Sequence, residues 1–243
     1  MKASGMLRPM LRPALLLLAF VAVPAVADSG GLLARLSAAA PDADPKVLAL
    51  ALQARRCAMA NEGASSASRL AVIDYSRPST QTRLWVFDLQ RKALLFAEHV
   101  AHGKGSGDNL AHAFSNRDGS HQSSLGLFRT AETYVGGNGY SMRMDGLEPG
   151  VNDAARDRLI VMHGAPYVDP LAALKQGRLG RSFGCPAVRP QVARELIDTL
   201  KQGQLLFAYY PDPEWLKGSA LLGCGGHAAT AASAKPDKPA SDA

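Results

Sequence analysis

The chain has 243 residues, 20% of them charged, and a formal net charge of +6. That length suits one domain with a small extension, and it can bury a core without disulfide staples. Three of the cations lie within the first twelve residues, and without them the charge is about +3, too mild to support a nucleic-acid binder, so no nucleic-acid partner is expected.

Lys2, Arg8 and Arg12 precede an apolar run from Ala14 to Val23, and Ala25-Val26-Ala27 fits a small-x-small cleavage pattern. Residues 1–27 therefore read as a secretory signal peptide cut after Ala27, with an uncleaved anchor as the competing reading. The run is well short of the roughly 20 residues a membrane span needs. Asp28, not a cysteine, stands directly after the cut, so no lipoprotein anchor is expected, and no later segment is apolar enough to span a bilayer, so no membrane span is expected after cleavage. Loss of the three cations leaves a net charge of about +3.

Residues 31–58 carry strong helix formers on either side of the turn "PDADPK". "NEGASSAS" over 61–68 reads as a linker. "RLAVIDYS", "TRLWVFDL" and "ALLFAEHVA" are short, apolar and rich in β-branched and aromatic residues, which predicts an antiparallel meander. The polar, Gly-rich stretch 101–124 is long enough to suggest a functional loop. "LGLFRTAETYV" predicts a strand, "GGNGYSMRMDGLEPGVNDAARD" reads as loop, and "RLIVMHG" predicts a short buried strand ending near His163. A helix is expected from Pro190 to Gln202, with its apolar face on Val192, Ala193, Leu196, Ile197 and Leu200. "QLLFAYY" closes the domain as a strand. The expected organisation is signal peptide 1–27, helical extension and linker 28–68, a mostly β domain 69–213, and a C-terminal segment 214–243 whose end, from 225, reads as disordered.

The chain has three cysteines, Cys57, Cys185 and Cys224. In an oxidising compartment an odd count leaves one thiol free or bonded between molecules. The economical pairing joins Cys57 to Cys224 across the flanks and leaves Cys185 free; other pairings stay open. Cys185 lies in "RLGRSFGCPAV". Gly184 permits close backbone approach, and Pro186 disfavours helical geometry at the cysteine, so an exposed, extended loop thiol is expected. Arg178 and Arg181 would favour its thiolate. A nucleophilic cysteine needs a base held within hydrogen-bond reach. Of His99, His102, His112, His121, His163 and His227, His163 is the best placed, at a strand end before Gly164.

"MHGA" followed by "GRSFGCPAV" resembles the YkuD-type L,D-transpeptidases of bacterial cell walls. Their motif places a His, then a gap, then [Ser/Thr]-His-Gly-Cys. "VIDYSRPSTQTRLWVFDL", "VAHGKGSG", "FSNRDGSHQSSLGLF" and "NDAARDRLIVMHGA" are similar to the murein L,D-transpeptidase branch of Gram-negative bacteria, over roughly residues 69–210. The resemblance implies an α+β, mostly β fold: a β-sandwich or barrel with a short helix after the cysteine loop and an N-terminal helical extension. It implies a periplasmic, monomeric, cofactor-free enzyme of peptidoglycan. Cys185 would form a thioester with a tetrapeptide stem, His163 would take its proton, and the Gly164 carbonyl would orient the imidazole. The N–H groups of Gly184 and Cys185 would make the oxyanion hole. Arg181, Ser182, Phe183, Tyr140 and Arg143 would meet the stem peptide. The acyl group would pass to a stem amine or a lipoprotein lysine. Passing it to water would make the protein a carboxypeptidase or endopeptidase, and a wall-binding protein without turnover is the third reading. Phe183 departs from the motif, which has a histidine there. "PAVRP" departs after the cysteine, where Arg189 would substitute for the usual Asn or Arg.

No metal is expected. His99 and His102 lack supporting ligands at metal spacing, and "GKGSG" lacks the spacing of a phosphate loop.

Overall fold

The computed structural model describes residues 29–62 and 67–224. Residues 1–27, expected to be a signal peptide, residues 63–66 of the expected linker, and the residues from 225, with His227, lie outside the described residues. Two helices lead, α1 (Ser29–Ala39) and α2 (Pro45–Glu62), separated by the expected turn. Strands β1 (Arg69–Asp74), β2 (Leu84–Asp88) and β3 (Ala93–Glu98) form the expected meander. Then come β4 (Gly126–Gly136), β5 (Gly139–Gly146), β6 (Val161–Gly164), α3 (Pro170–Gln176), β7 (Ala187–Val188), α4 (Pro190–Leu200), β8 (Leu205–Tyr209), α5 (Pro213–Gly218) and α6 (Ala220–Gly223).

The eight strands make one mixed sheet in the order β3-β2-β1-β8-β4-β5-β6-β7. Just beyond β3, Ala101 bridges to Ala187 of β7, so the two edges meet and the sheet is a nearly closed barrel. Such closure leaves little unpaired strand edge exposed. The fold is mostly β, of α+β type. β1 pairs in parallel with β8 and packs against both α2 and α4. Residues from Leu70 to Ile73 are consequently fully buried, which is why this strand reads as an unbroken apolar run.

The segment after Val135 was expected to be loop, and the structure corrects this. β4 and β5 form a hairpin whose register, Gly136 opposite Gly139, leaves a two-residue loop at Gly137-Asn138. Gly139 sits at φ 71°, a conformation that favours glycine at tight hairpin turns. In β5, Met142 and Met144 are buried and Arg143 points outward, but the surrounding glycines mask this short alternation. α3 also went unread, although it has sequence signals. Asp169 caps it by accepting from Leu171 N and Ala172 N, and Gly177 ends it at φ 77°. α4 stops two residues short of the expected end.

One hydrophobic core joins the sheet to both flanks: Leu36 and Leu48 from the leading helices, Trp85 and Phe207 from the sheet, Trp215 and Leu221 from the C-terminal helices. Cys57 of α2 is disulfide-bonded to Cys224 after α6, with Cα atoms 5.8 Å apart. Glu148 is the polar anchor of this region. Its carboxylate accepts from Leu127 N (2.9 Å), Trp215 Nε1 (3.1 Å) and Ser219 Oγ. Asn152 donates to Leu125 O and Leu127 O and accepts from Glu148 N. Together these bonds fix the loop between β5 and β6, which carries Arg158 and Leu159 to the cysteine.

Arg83 is fully buried and donates to Val100 O, Arg77 O and His102 Nδ1, the last at 2.7 Å. A guanidinium only donates, so His102 Nδ1 accepts and the Nε2–H donates to Gly107 O (3.2 Å). Burial first, then the charge of Arg83, hold the His102 pKa down to about 4 from 6.5. The folded protein therefore keeps His102 neutral while the unfolded chain takes up a proton below pH 6.5. Stability is present above that value and is lost as the pH falls toward 4. Between pH 7 and 4.5 the expected loss from this residue is about 2–3 kcal/mol. Urea midpoints of the wild type and His102→Gln at both pH values check this, since the variant removes that part of the slope.

Candidate active site

Register brings the two motif halves together. β6 and β7 pair in parallel with His163 opposite Ala187, so Cys185, two residues earlier, falls beside Val161. Val161 N donates to Cys185 Sγ at 3.4 Å, and Leu159 O is 3.7 Å from the sulfur. Cys185 is only 9% exposed, which corrects the expectation of an open loop thiol. The loop is tight because three segments are stitched around it. Ser182 Oγ donates to Cys185 O (2.6 Å) and accepts from Gly184 N (3.1 Å). Ser123 Oγ donates to Gly184 O (3.2 Å) and accepts from Gly103 N (3.0 Å). Lys104 N reaches Ser182 O at 2.8 Å, and Gly105 N reaches His121 O at 2.9 Å. Gly184 sits at φ 125°, and a Cβ there would meet Gln122 O and Ile160 Cδ1, each at 2.8 Å. Glycine before the cysteine is thus required on two counts, backbone conformation and space.

His163 is buried on β6. Its Nδ1 lies 3.0 Å from Gly164 O, and a carbonyl only accepts, so Nδ1 carries the proton and Nε2 keeps its lone pair. Burial lowers the His163 pKa, offset in part by the Gly164 carbonyl. Burial also raises the Cys185 pKa, opposed by the Val161 N–H, the charge of Arg158 and the cysteine's own N–H. Both shifts favour the uncharged forms, so the resting pair is thiol and neutral imidazole. Among the described residues no hydrogen bond joins Cys185 to His163; the sulfur faces the β6 backbone.

The structure redistributes the expected substrate contacts. Arg181 donates to Gly107 O (2.9 Å) and pairs with Asp108 (2.8 Å), which Arg178 also approaches. Neither is the cation that acts on the thiol; that is Arg158, for which the sequence held no signal. Arg158 donates to Ser115 O, Ser124 Oγ, Ser120 Oγ and Gln122 O, and so orders the polar stretch expected to be functional. Arg143 is opposite Val161 in register, but its guanidinium pairs with Glu132 (3.3 Å) and stacks on Tyr134. Tyr140 lies apart from this group. Strand alternation turns it away from the face of Ser141 and His163, and its hydroxyl donates to Asp198 of α4 (2.7 Å). Gly184 N–H, expected in the oxyanion hole, donates to Ser182 Oγ. Arg189 makes a two-point ion pair with buried Glu98, both contacts at 2.8 Å. That pair lines a cavity of about 770 Å³ between β3, α3 and α4 that does not include the cysteine. Ser182 supports the loop from within. Phe183 alone of the expected contacts stands well out, 64% exposed. Among the described residues no group of three His, Cys, Asp or Glu is placed to hold a metal. No helix there is long and apolar enough to cross a membrane.

No curated protein matches the chain. Among solved structures it is similar to an L,D-transpeptidase from Mycobacterium smegmatis, at 15% identity and TM-score 0.37 over 60% of each chain. It is also similar to the helical cell shape determining protein Pgp2 from Campylobacter jejuni, at 10% identity and TM-score 0.40, covering 61% of this chain and 49% of that one. L,D-transpeptidase 3 from Mycobacterium tuberculosis gives 15% identity and TM-score 0.34, covering 59% of this chain and 61% of that one. The chain therefore spans less than two thirds of the length of these proteins. The YkuD_2 profile, the L,D-transpeptidase catalytic domain, matches residues 39–209, a span holding the whole barrel and both motif halves. By that match, the chain belongs to the L,D-transpeptidase catalytic-domain family.

Proposed function

We propose that the protein is a peptidoglycan L,D-transpeptidase working through a Cys185 thioester. The observation that carries this reading is the His163 tautomer: Nδ1–H is held by Gly164 O, so Nε2 is free to act as a base one strand from the cysteine. Cys185 Sγ turns away from Val161 N and gives its proton to His163 Nε2. The thiolate adds to the carbonyl of the diaminopimelate residue, whose developing negative oxygen meets the Cys185 N–H. The C–N bond to the terminal D-Ala breaks, and that amine leaves with the proton from His163. An acceptor amine then attacks the thioester, again losing a proton to His163, and the thiol is regenerated. No cofactor enters this sequence. The pKa directions favour general-base transfer over a preformed ion pair. Export through a cleaved signal, to the periplasm, is part of the proposal, and the Cys57–Cys224 bond supports it because disulfides persist in oxidising compartments.

The test is the mass of the mature protein after incubation with a carbapenem. A one-to-one adduct is expected, absent in Cys185→Ser. No adduct, with no thiol labelling at Cys185, overturns the enzyme reading in favour of a wall-binding protein. Product analysis on purified cell wall then separates crosslinking from trimming by water.

A further inference from the structure

The expected anion-binding cations are committed elsewhere: Arg181 to Asp108, Arg143 to Glu132, Arg189 to Glu98. One cation in the segment packed on the cysteine loop is not. Lys104 follows Gly103, whose added Cβ would lie 2.9 Å from Gly184 Cα, and its backbone N donates to Ser182 O at 2.8 Å. Lys104 therefore stands in the loop directly against the nucleophile loop. It is exposed, and no carboxylate among the described residues pairs with it. Its ammonium instead sits 4.3 Å from the centre of the Phe183 ring. The other side of this arrangement is His121, whose ring is 4.7 Å from that of Phe183 at an interplanar angle of 49°.

This trio gives a physical account of Phe183. An exposed phenylalanine two residues before the cysteine exposes apolar area to water, and the imidazole and ammonium against it reduce that area. The ring in turn holds the ammonium in place by its quadrupole while leaving the charge unneutralised. Gly105 N on His121 O and Ser182 N on His102 O keep the three backbones in register, so the arrangement is built into the site. A held cation without an anion, next to a nucleophile, fits a ligand carboxylate brought in with the reacting carbonyl.

We infer that Lys104, held on Phe183 and backed by His121, binds a carboxylate of the peptide substrate next to the scissile bond. This deepens the proposed function and rests on it. Two of the stem's free carboxylates lie on the residues that flank the scissile bond: the terminal carboxylate of the leaving residue and the free carboxylate of the diaminopimelate. The leaving residue's carboxylate lies beyond the scissile bond and is the one we assign. Positions 104 and 121 thus take up substrate recognition on the side where the motif histidine is absent.

The test measures binding by calorimetry in a Cys185→Ala background, so that turnover does not intervene. Three probes are used: the tetrapeptide stem as free acid, the same peptide amidated at its terminal carboxylate, and the peptide amidated at the diaminopimelate carboxylate. Lys104→Met is expected to weaken the free acid roughly fivefold, the scale of an ion pair at a protein surface. It should leave the terminal amide unchanged, while Lys104→Arg restores binding. Equal weakening of all three probes, or none, overturns the inference. So does absence of measurable binding of the free acid before any change at Lys104. A loss that survives terminal amidation but vanishes with the diaminopimelate amide overturns the assignment to the leaving residue. Thermal melts of the Lys104 variants confirm folding. The carbapenem adduct on the wild-type protein reports separately on the proposed function, so the two can fail independently.

Discussion

Replacing His163 by glutamine is expected to slow acylation of Cys185 by a carbapenem by roughly 10²–10⁴-fold, the usual contribution of a positioned general base. The size follows from the resting state. Burial raises the thiol pKa and lowers that of the imidazole, so thiolate is scarce near neutral pH and a base must remove the proton during attack. The signs also set the pH profile. His163 stays neutral to below the ordinary imidazole range, and Cys185 stays a thiol to above the ordinary thiol range. The wild-type acylation rate should therefore be flat through neutral pH. Simple alkylation by iodoacetamide should be slow at pH 6 and climb steadily in alkali. An ion-pair cysteine would instead alkylate rapidly at pH 6, and that result would contradict the neutral pair. Loss of less than tenfold in His163→Gln, with the melt unchanged, would remove His163 as the base.

Removing the disulfide, by Cys57→Ala with Cys224→Ala, should be the largest stability effect in the molecule. The bond spans 167 residues of sequence. The chain-entropy relation for a loop of that size gives about 5 kcal/mol, an upper figure because the unfolded chain retains structure. For a chain this long that corresponds to a drop in Tm on the order of 10 °C. The bond ties α2 to the segment after α6, and both share the sheet's core, so the loss should appear as lower stability of the whole fold. Gln53 of α2 also donates to Leu222 O, so alignment of the two helices does not rest on sulfur alone. Cys185, the free thiol, should label in the double variant as it does in the wild type. A Tm change under 2 °C would show that packing alone holds the flanks.

Much of the architecture was legible because it is written locally. The meander from Arg69 to Glu98 carries its apolar runs and turns within a few residues of each other. α4 starts at a proline and ends near a glycine, and its apolar face repeats at helical spacing. β5 was hidden for the same reason. It has six residues between two glycines and only Met142 and Met144 to mark its period, and its partners lie on other strands. The C-terminal helices are too short to carry a periodic signal, and capping by Asp212 is their main local cue.

The reactive pair shows the division most clearly. Sequence alone determined the candidate chemistry: Cys185 between glycine and proline, His163 before Gly164, and an odd cysteine count. Those are properties of residue type and of backbone freedom, which neighbours in the chain dictate. Only tertiary structure decided that β7 runs parallel to β6 and sets the cysteine beside Val161, that the thiol is buried, and that Arg158 is the charge acting on it. Tertiary structure also sorted the cations. A sequence displays every Arg and Lys alike, but whether each meets a carboxylate depends on residues far along the chain, as Arg181 with Asp108 and Arg189 with Glu98 show. Arg181, Arg143 and Arg189 found such partners. Lys104 found an aromatic face, and no carboxylate among the described residues pairs with it.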